Sequence, residues 1–373
     1  MATEETPRQK KIILNLKDIA ASEDNPNDER MVAIKRIGET IQKGWDKTSQ
    51  LTAISCLGEI VPTVSRDGFA MSMEPLFQLL NIATQATDRE IRTNAILQME
   101  LVATKSKDIG RRIIVSTIFR QIAEHPQLSL PERKCTLDRL AQWAIKEQEF
   151  NDIPTAAIKE LELAVPTLEI SSHAIEKLKE IATETPIPEL QQAAIDSLAE
   201  LAIRTFAEPV LRGEAPPDKK DLYYAIREDA TLALRDIALD NNALAITRMN
   251  AIDQLTYIST QALQPNTQKD AIECLGHIIK AASALPDTRQ YAVLAMGNIV
   301  PEGVNEEIIN KVTKQLTDVT KSKDPVVREN AILLLDENPK SPTEPHPNTA
   351  ILRNAATRFE RQAAQRGPAG PSL

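Results

Sequence analysis

The chain has 373 residues and a formal net charge of −9. It is 42% hydrophobic but only 3% aromatic, with 11 glycines. That profile sets aside a β-rich fold, which would want aromatic and β-branched residues and many glycine turns, and suits helices. The acidic balance also sets aside sequence-independent nucleic-acid binding, which draws its affinity from Lys and Arg on phosphates. No apolar run approaches the ~18 residues that a membrane span needs. The first residues carry no apolar signal-peptide core.

In chain order, residues 1–28 read as a charged lead-in plus a short helix around 12–20. A repeated helix pattern then begins. Its clearest copy is Ala271-Ile272-Glu273-Cys274-Leu275-Gly276-His277-Ile278-Ile279, and Ala53-Ile54-Ser55-Cys56-Leu57-Gly58-Glu59-Ile60-Val61 nearly reproduces it. With the first Ala of each copy as position 0, the copies fall at Ala33, Ala53, Ala95, Thr136, Ala174, Ala194, Ala230, Ala251, Ala271, Ala292 and Ala331. Separations cluster near ~20 or ~40 residues, the spacing of one helix with its turn or of one antiparallel pair.

Side-chain phase supports the same reading. Position +1 is Ile, Leu or Val except at Thr231, and position +4 is Ile, Leu or Met throughout. At 100° per residue, positions 0, +1, +4, +7 and +8 share a face, which is the expected core stripe. Less regular helices fill the gaps at 73–83, 111–123, 156–164 and 305–320. Prolines such as Pro62, Pro154, Pro188, Pro265, Pro286 and Pro325 punctuate the elements. Alternating inner and outer helices from the two ends fails to agree in the middle, so an irregular repeat is expected near 150–170.

The stretch 208–221 reads as a surface loop insertion that could also contact a partner. Four prolines between 337 and 348 imply an extended linker. An amphipathic helix follows at 349–366, carrying Arg353, Arg358, Arg361 and Arg366, and 367–373 reads as a disordered tail. The expected organisation is thus a helical array over 1–336, a linker over 337–348, the helix over 349–366 and the tail. Cys56, Cys135 and Cys274 have no close spacing and read as small core or near-core thiols. A reducing, cytoplasmic setting follows.

Asp324-Pro325-Val326-Val327-Arg328-Glu329-Asn330-Ala331-Ile332 resembles the inner helix of a HEAT repeat, whose Asp and Arg pair between adjacent repeats. Asp88-Arg89-Glu90-Ile91-Arg92-Thr93-Asn94-Ala95-Ile96 follows it closely. Arg recurs at position −3 at Arg30, Arg133, Arg227, Arg248 and Arg289. The resemblance covers roughly 30–336. It implies an all-α fold, a right-handed α-solenoid of stacked antiparallel helix pairs (a HEAT-like or armadillo-like superhelix), with these arginines forming a structural ladder. Ala292-Val293-Leu294-Ala295-Met296-Gly297-Asn298-Ile299 is similar to the third helix of armadillo repeats, where an aromatic at +2 and an Asn at +6 bind extended peptides. Here +6 is Asn298, but +2 is Leu294.

His125, His173, His277 and His346 form no His-Glu pair, and HExxH, CxxC, GxSxG and Gly-rich phosphate motifs are missing. No catalytic residue, metal site or cofactor is expected. Trp143, at +7, reads as core, and His277, at +6, as surface. The favoured function is a non-enzymatic scaffold or adaptor that binds a protein or peptide, a basic one on charge grounds, on a concave acidic face. The runners-up are a HEAT-fold enzyme or lyase- or chaperone-like accessory, and a dedicated subunit of a larger complex. Positions −1, +2 and +6 point away from the stripe. On the helices taken as the inner row they present Glu59, Asn94, Asp138, Gln142, Asp196, Glu200, Asn250, Asp253, Tyr257, Asn298 and Asn330 as partner-binding candidates.

Overall fold

The structure is a computed structural model. It describes residues 5–63, 69–106, 108–146, 152–165, 167, 169–203, 217–299 and 306–336. Among these are sixteen α-helices and no strand. They are α1 (Glu5–Ala21), α2 (Asn27–Gln42), α3 (Lys47–Thr63), α4 (Phe69–Gln85), α5 (Arg89–Lys105), α6 (Ile109–Glu124), α7 (Leu130–Lys146), α8 (Asp152–Ala164), α9 (Ser171–Glu184), α10 (Pro188–Ile203), α11 (Pro217–Leu239), α12 (Ala245–Gln261), α13 (Pro265–Lys280), α14 (Pro286–Gly297), α15 (Glu306–Val319) and α16 (Pro325–Asp336). The expected linker, helix and tail over 337–373, and residues 208–216 of the expected loop, lie outside the described residues.

Local chemistry sets many of the helix starts. Pro188, Pro217, Pro265, Pro286 and Pro325 are each the first residue of a helix. There the missing N–H costs nothing and the fixed φ is already helical. The expected loop therefore ends earlier than 221, because Pro217 opens α11. Asp88 and Asp108 cap α5 and α6, accepting from the backbone N–H of Glu90 and Arg111. Pro62 and Pro154, expected between elements, sit in the last turn of α3 and the first turn of α8. The lead-in is helical from Glu5, so α1 is longer than the expected 12–20.

The chain divides into two compact units, Met1–Gln254 and Leu255–Leu373, and the division falls within α12. In the first unit helices pack on their neighbours in sequence and, at every step from α1 to α11 but α5 to α7, on the helix after that; α5 reaches α7 through ion pairs of long side chains. The result is two rows: α1, α3, α5, α7, α9 and α11 stack as the odd row, and α2, α4, α6, α8 and α10 as the even row. The alternation passes through 150–170 with α8 seated between α6 and α10. What is unusual there is length, since α8 has 13 residues and α9 has 14. The second unit repeats the scheme, with α13 on α15 and α14 on α16.

The core is the predicted stripe. Position 0 is buried in every copy, and +1 and +4 are buried in every copy but the last. There Ile332 is 42% exposed and Leu335 is half-buried, a departure from the expected core. Trp143 packs in the core against Phe119, ring centroids 5.1 Å apart. Cys56 and Cys274 are buried, as their shared position +3 allows. Cys135 is exposed, which corrects its reading as a core thiol. It stands at −1, on the far side of the helix from the stripe.

Two further repeated contacts fix how helices approach. Gly58 and Gly276 sit at +5, where an added Cβ would lie 2.5 Å from the Oε1 of Gln98 and 2.6 Å from that of Gln315. Gly38 faces Gln78 in the same way. Glycine here makes a seat for an amide from the next helix of its row, and only a missing side chain leaves that room.

Position −3 closes the corners. Arg30 Nε donates to the Ala20 carbonyl (3.0 Å), Gln50 Nε2 to that of Trp45 (2.7 Å), and Arg92 Nη1 to those of Ala86 and Thr87 (2.8 and 2.9 Å). Arg133, Gln191 and Arg328 do the same to Ala123 (2.6 Å), Thr185 (2.7 Å) and Ser322 (3.2 Å), and Arg248 bonds the Ala243 carbonyl. A helix end leaves carbonyls without partners, and burying one unpaired costs about 1–3 kcal/mol. Each −3 donor satisfies carbonyls at the end of the preceding helix or in the corner after it. Arg227, at −3 of α11, instead lies over the Tyr224 ring, 5.6 Å from its centroid.

Candidate functional site

The sequence-predicted partner residues do not share one row. Glu59 lies on α3, Asn94 on α5, and Asp138 and Gln142 on α7, all in the odd row of the first unit. Asp196 and Glu200 lie on α10, in the even row; α12 carries Asn250, Asp253 and Tyr257. Asn298 caps α14 and Asn330 lies on α16, both in the second unit.

Side-chain partners separate the rows further. In the odd row, ion pairs cross every step. Lys17 pairs with Glu59 between α1 and α3. Lys47 reaches Asp88 at 3.1 Å and Glu90 at 2.6 Å, from α3 to the start of α5. From α5 to α7, Arg92 pairs with Glu132 at 2.7 Å and Glu100 pairs with Arg139. Asp138 on α7 meets His173 at 2.9 Å and Lys177 at 3.1 Å on α9. Lys179 on α9 reaches Asp236 on α11 at 3.9 Å. The predicted Arg–acid ladder is part of this lacing, as Arg92–Glu132 and Arg133–Glu169, and recurs in the second unit as Arg289–Asp324 at 2.9 Å.

These contacts shift protonation in the expected sense. The hydrogen bond from Lys17 holds the Glu59 carboxyl below its usual range, and the same bond raises Lys17. Lys177 is raised as well: burial alone would lower it, but the hydrogen bonds it donates to Glu180 and Asp138 outweigh that. Glu59 and Asp138 are therefore already engaged by cations of their own chain. Gln142 accepts from Lys146, and the Asn94 amide donates to the Glu90 carbonyl at 2.9 Å.

The even row is joined through different groups. Arg120 and Glu160 tie α6 to α8 at 2.5 Å. Beyond that, neutral donors make the links between helices: the Ser197 hydroxyl donates to Glu162 at 3.0 Å, linking α10 to α8, while Lys159 of α8 itself pairs with Glu162 at 2.6 Å. Gln254 Nε2 donates to Asp196 Oδ1 at 2.8 Å and Gln192 Nε2 to the same atom at 2.6 Å. The buried hydroxyl of Thr247 bonds Gln191, again from α12 to α10. Helix α10 contains no Lys or Arg, and the one on α12, Arg248, is buried. Their surface thus carries Glu189, Asp196, Glu200 and Asp253 with no exposed cation from either helix. One turn beyond Asp253 on α12, Tyr257 is 52% exposed.

The sequence marks α4 only as a less regular helix over 73–83, because it lacks the key Ala, and no site residue was expected on it. Its Gln78, Asn81 and Gln85 line a cavity of about 480 Å³ together with Trp45, Lys47 and Gln50. The signal was present as amides at i, i+3 and i+7, which share one helix face. The Asn330 amide nitrogen is buried without a hydrogen-bond partner. His277 is exposed, as its position implied. Among the described residues no three His, Cys, Asp or Glu side chains converge as a metal site requires, and no helix is long and apolar enough to cross a membrane.

No family profile and no curated protein matches the chain. Among solved structures it is similar to an engineered protein, at 16% identity over 91% of this chain and 97% of that one, with a TM-score of 0.29. It is also similar to a computationally designed armadillo repeat protein for modular peptide recognition (14% identity, 70% and 98% covered, TM-score 0.26). A third similarity is to the TSC2 N-terminus (10%, 88% and 99%, TM-score 0.28). At such TM-scores the superpositions are loose, and the architecture rests on the packing of the chain's own helices. By that packing, each unit is a stretch of α-solenoid of the HEAT/armadillo type.

Proposed function

We propose that the chain is a non-enzymatic scaffold that binds a basic segment of a protein along α10 and α12, in register with Asp196, Glu200 and Asp253. The observation that carries this reading is the absence of Lys and Arg from α10 and the burial of Arg248 on α12. A carboxylate held by two amides, as Asp196 is, stays ordered. An incoming Lys or Arg gains a charge-assisted hydrogen bond there without displacing an internal cation. At Glu59 or Asp138 the same ligand would have to displace Lys17, or His173 and Lys177. On this reading Asp196 anchors the partner, with Glu200 and Asp253 beside it on α10 and α12, and the odd-row carboxylates serve the fold.

The test uses the folded full chain and two probes, a fluorescent oligo-lysine peptide and whatever protein the chain captures from cell extract. Reversing Asp196, Glu200 and Asp253 to Lys together is expected to weaken binding at least tenfold. Wild-type affinity should fall steeply with salt. Reversing Glu59 and Asp138 should change binding less than threefold. Equal affinity in the triple variant, with no salt dependence in the wild type, sinks the reading.

A further inference from the structure

We propose that residues 349–366 form a helix that folds back over the exposed face of α16 and closes the array at its C-terminal end. The starting point is an exception within the repeat. Position +1 is buried in every copy from Ile34 to Val293, yet its last occupant, Ile332, is 42% exposed. Leu335, at the +4 position that is buried in every earlier copy, is half-buried. Val326 (48%) and Leu333 (56%), seven residues apart, add exposed apolar surface on the adjoining side of α16, at the +2 line that is also open at Leu97 (41%) in mid-array. In a stacked array the strip through +1 and +4 is what the next helix of the repeat covers, and terminal repeats need a cap with a polar outer side.

The sequence beyond Asp336 has the form of that cap. Leu352, Ala355, Ala356, Phe359 and Ala363 recur at helical spacing and give one apolar face. The small Ala residues permit close approach, as Ala does at position 0 of every copy but Thr136. Arg353, Arg358 and Arg361, against a single acid, Glu360, supply the polar side, and Arg366 stands at the C-terminal end of the segment. Glu329, exposed on α16 between Val326 and Leu333, offers these arginines a partner. The connector 337–348 contains Pro339, Pro342, Pro345 and Pro347. Extended at ~3.1 Å per residue, it spans roughly 37 Å. Helix α16 is about 18 Å long at 1.5 Å per residue, so the connector can return along its whole length.

A second copy of the chain is the weaker occupant. One side of a helix this short offers on the order of 200 Å², whereas a stable interface takes about 800 Å² from each partner. A tethered segment needs no such area, because a short connector holds it at millimolar effective concentration.

Hydrogen exchange on the full chain tests the proposal. In the wild type, amides of 325–336 are expected to exchange at least tenfold more slowly than in Phe359→Asp, with both proteins monomeric by light scattering and with unchanged exchange in α3 to α10. Adding a synthetic 349–366 peptide should restore protection to the variant. From the other side, Ile332→Ser should raise exchange in 325–336 and expose 349–366 to protease. Equal, fast exchange of 325–336 in wild type and Phe359→Asp overturns the proposal. So does protection that disappears on dilution together with a dimer mass, since a second copy would then be the cover.

Discussion

The odd and even rows of the first unit are built on the same core stripe and differ in what they do with surface charge. In the odd row, every step from α1 to α11 is crossed by an ion pair between side chains of the same protein. In the even row, the steps from α8 to α10 and from α10 to α12 run through a serine hydroxyl, a threonine hydroxyl and a glutamine amide. Half-exposed ion pairs contribute little stability, of order 0–1 kcal/mol each, but they specify which charges face one another. A row that neutralises its own carboxylates is a poor place to recruit a cationic partner. A row that holds them with amides is a better one.

The largest effect tests whether the rows share one core. Leu57 on α3 and Leu198 on α10 both occupy position +4 and are fully buried. Leu57→Asp and Leu198→Asp each place an unpaired carboxylate in the stripe, and each should cost about 3–5 kcal/mol. Circular dichroism melts of the two variants should be displaced downward by similar amounts. A melt like that of the wild type in one of them would mean that the stripe is not common to both rows.

That common stripe is also the part of the molecule most legible in the sequence. Positions 0, +1 and +4 follow from helical period alone, and α4, α6, α8 and α15 were visible as weaker apolar patterns. Row membership was not legible. The key Ala or Thr marks α2 and α3, then α5, α7 and α9, then α10 to α14 and finally α16, so counting copies jumps rows where α8 carries no copy. The split of the predicted site residues between the two rows follows from that jump. The corner role of the −3 residue was hidden for another reason. Resemblance pointed to Arg–acid pairs, whereas the acceptors at most corners are backbone carbonyls, which no side-chain pattern reveals. Gln50 and Gln191, doing the work of an arginine, were invisible to a search for arginine. The exposure of Ile332 could not be read from its own helix either, because burial at +1 depends on the helix that follows.

An intermediate effect sharpens the contrast between neutral and ionic joints. Gln191 is buried, donates to the Thr185 carbonyl at 2.7 Å and accepts from Thr247, so one side chain closes a corner and joins α10 to α12. Gln191→Leu is close in size but leaves a buried carbonyl and a buried hydroxyl unpaired. The expected cost is about 1–3 kcal/mol. Urea titration should show the midpoint fall by a corresponding amount, and proteolysis should open the chain first near 185–191. A midpoint within error of the wild type would mean that the even row does not depend on this bond.

The smallest effect belongs to the odd row. Glu59 is about half exposed and Lys17 is more covered, so solvent screens the pair, and Glu59→Gln should cost only about 0–1 kcal/mol at neutral pH. The sign with pH follows from the direction of the shift. The Glu59 carboxyl is held below its usual range by the Lys17 hydrogen bond. Its contribution is therefore fully present above the unfolded value, about 4.3, and is lost as pH falls through the depressed folded value. The wild type and Glu59→Gln should thus differ slightly at pH 7 and converge once the pH has fallen through the depressed folded value. In 1 M salt, where charges are screened beyond about 3 Å, the difference at pH 7 should shrink too. Asp196→Asn is the matching change in the even row. It removes a charge whose hydrogen-bond partners are two neutral amides, so its stability at pH 7 should shift by less than about 0.5 kcal/mol, and the shift should not shrink in 1 M salt. A salt-sensitive loss in Asp196→Asn equal to that in Glu59→Gln would show that Asp196 is also held by a cation of its own chain, and the distinction between the rows would fall with it.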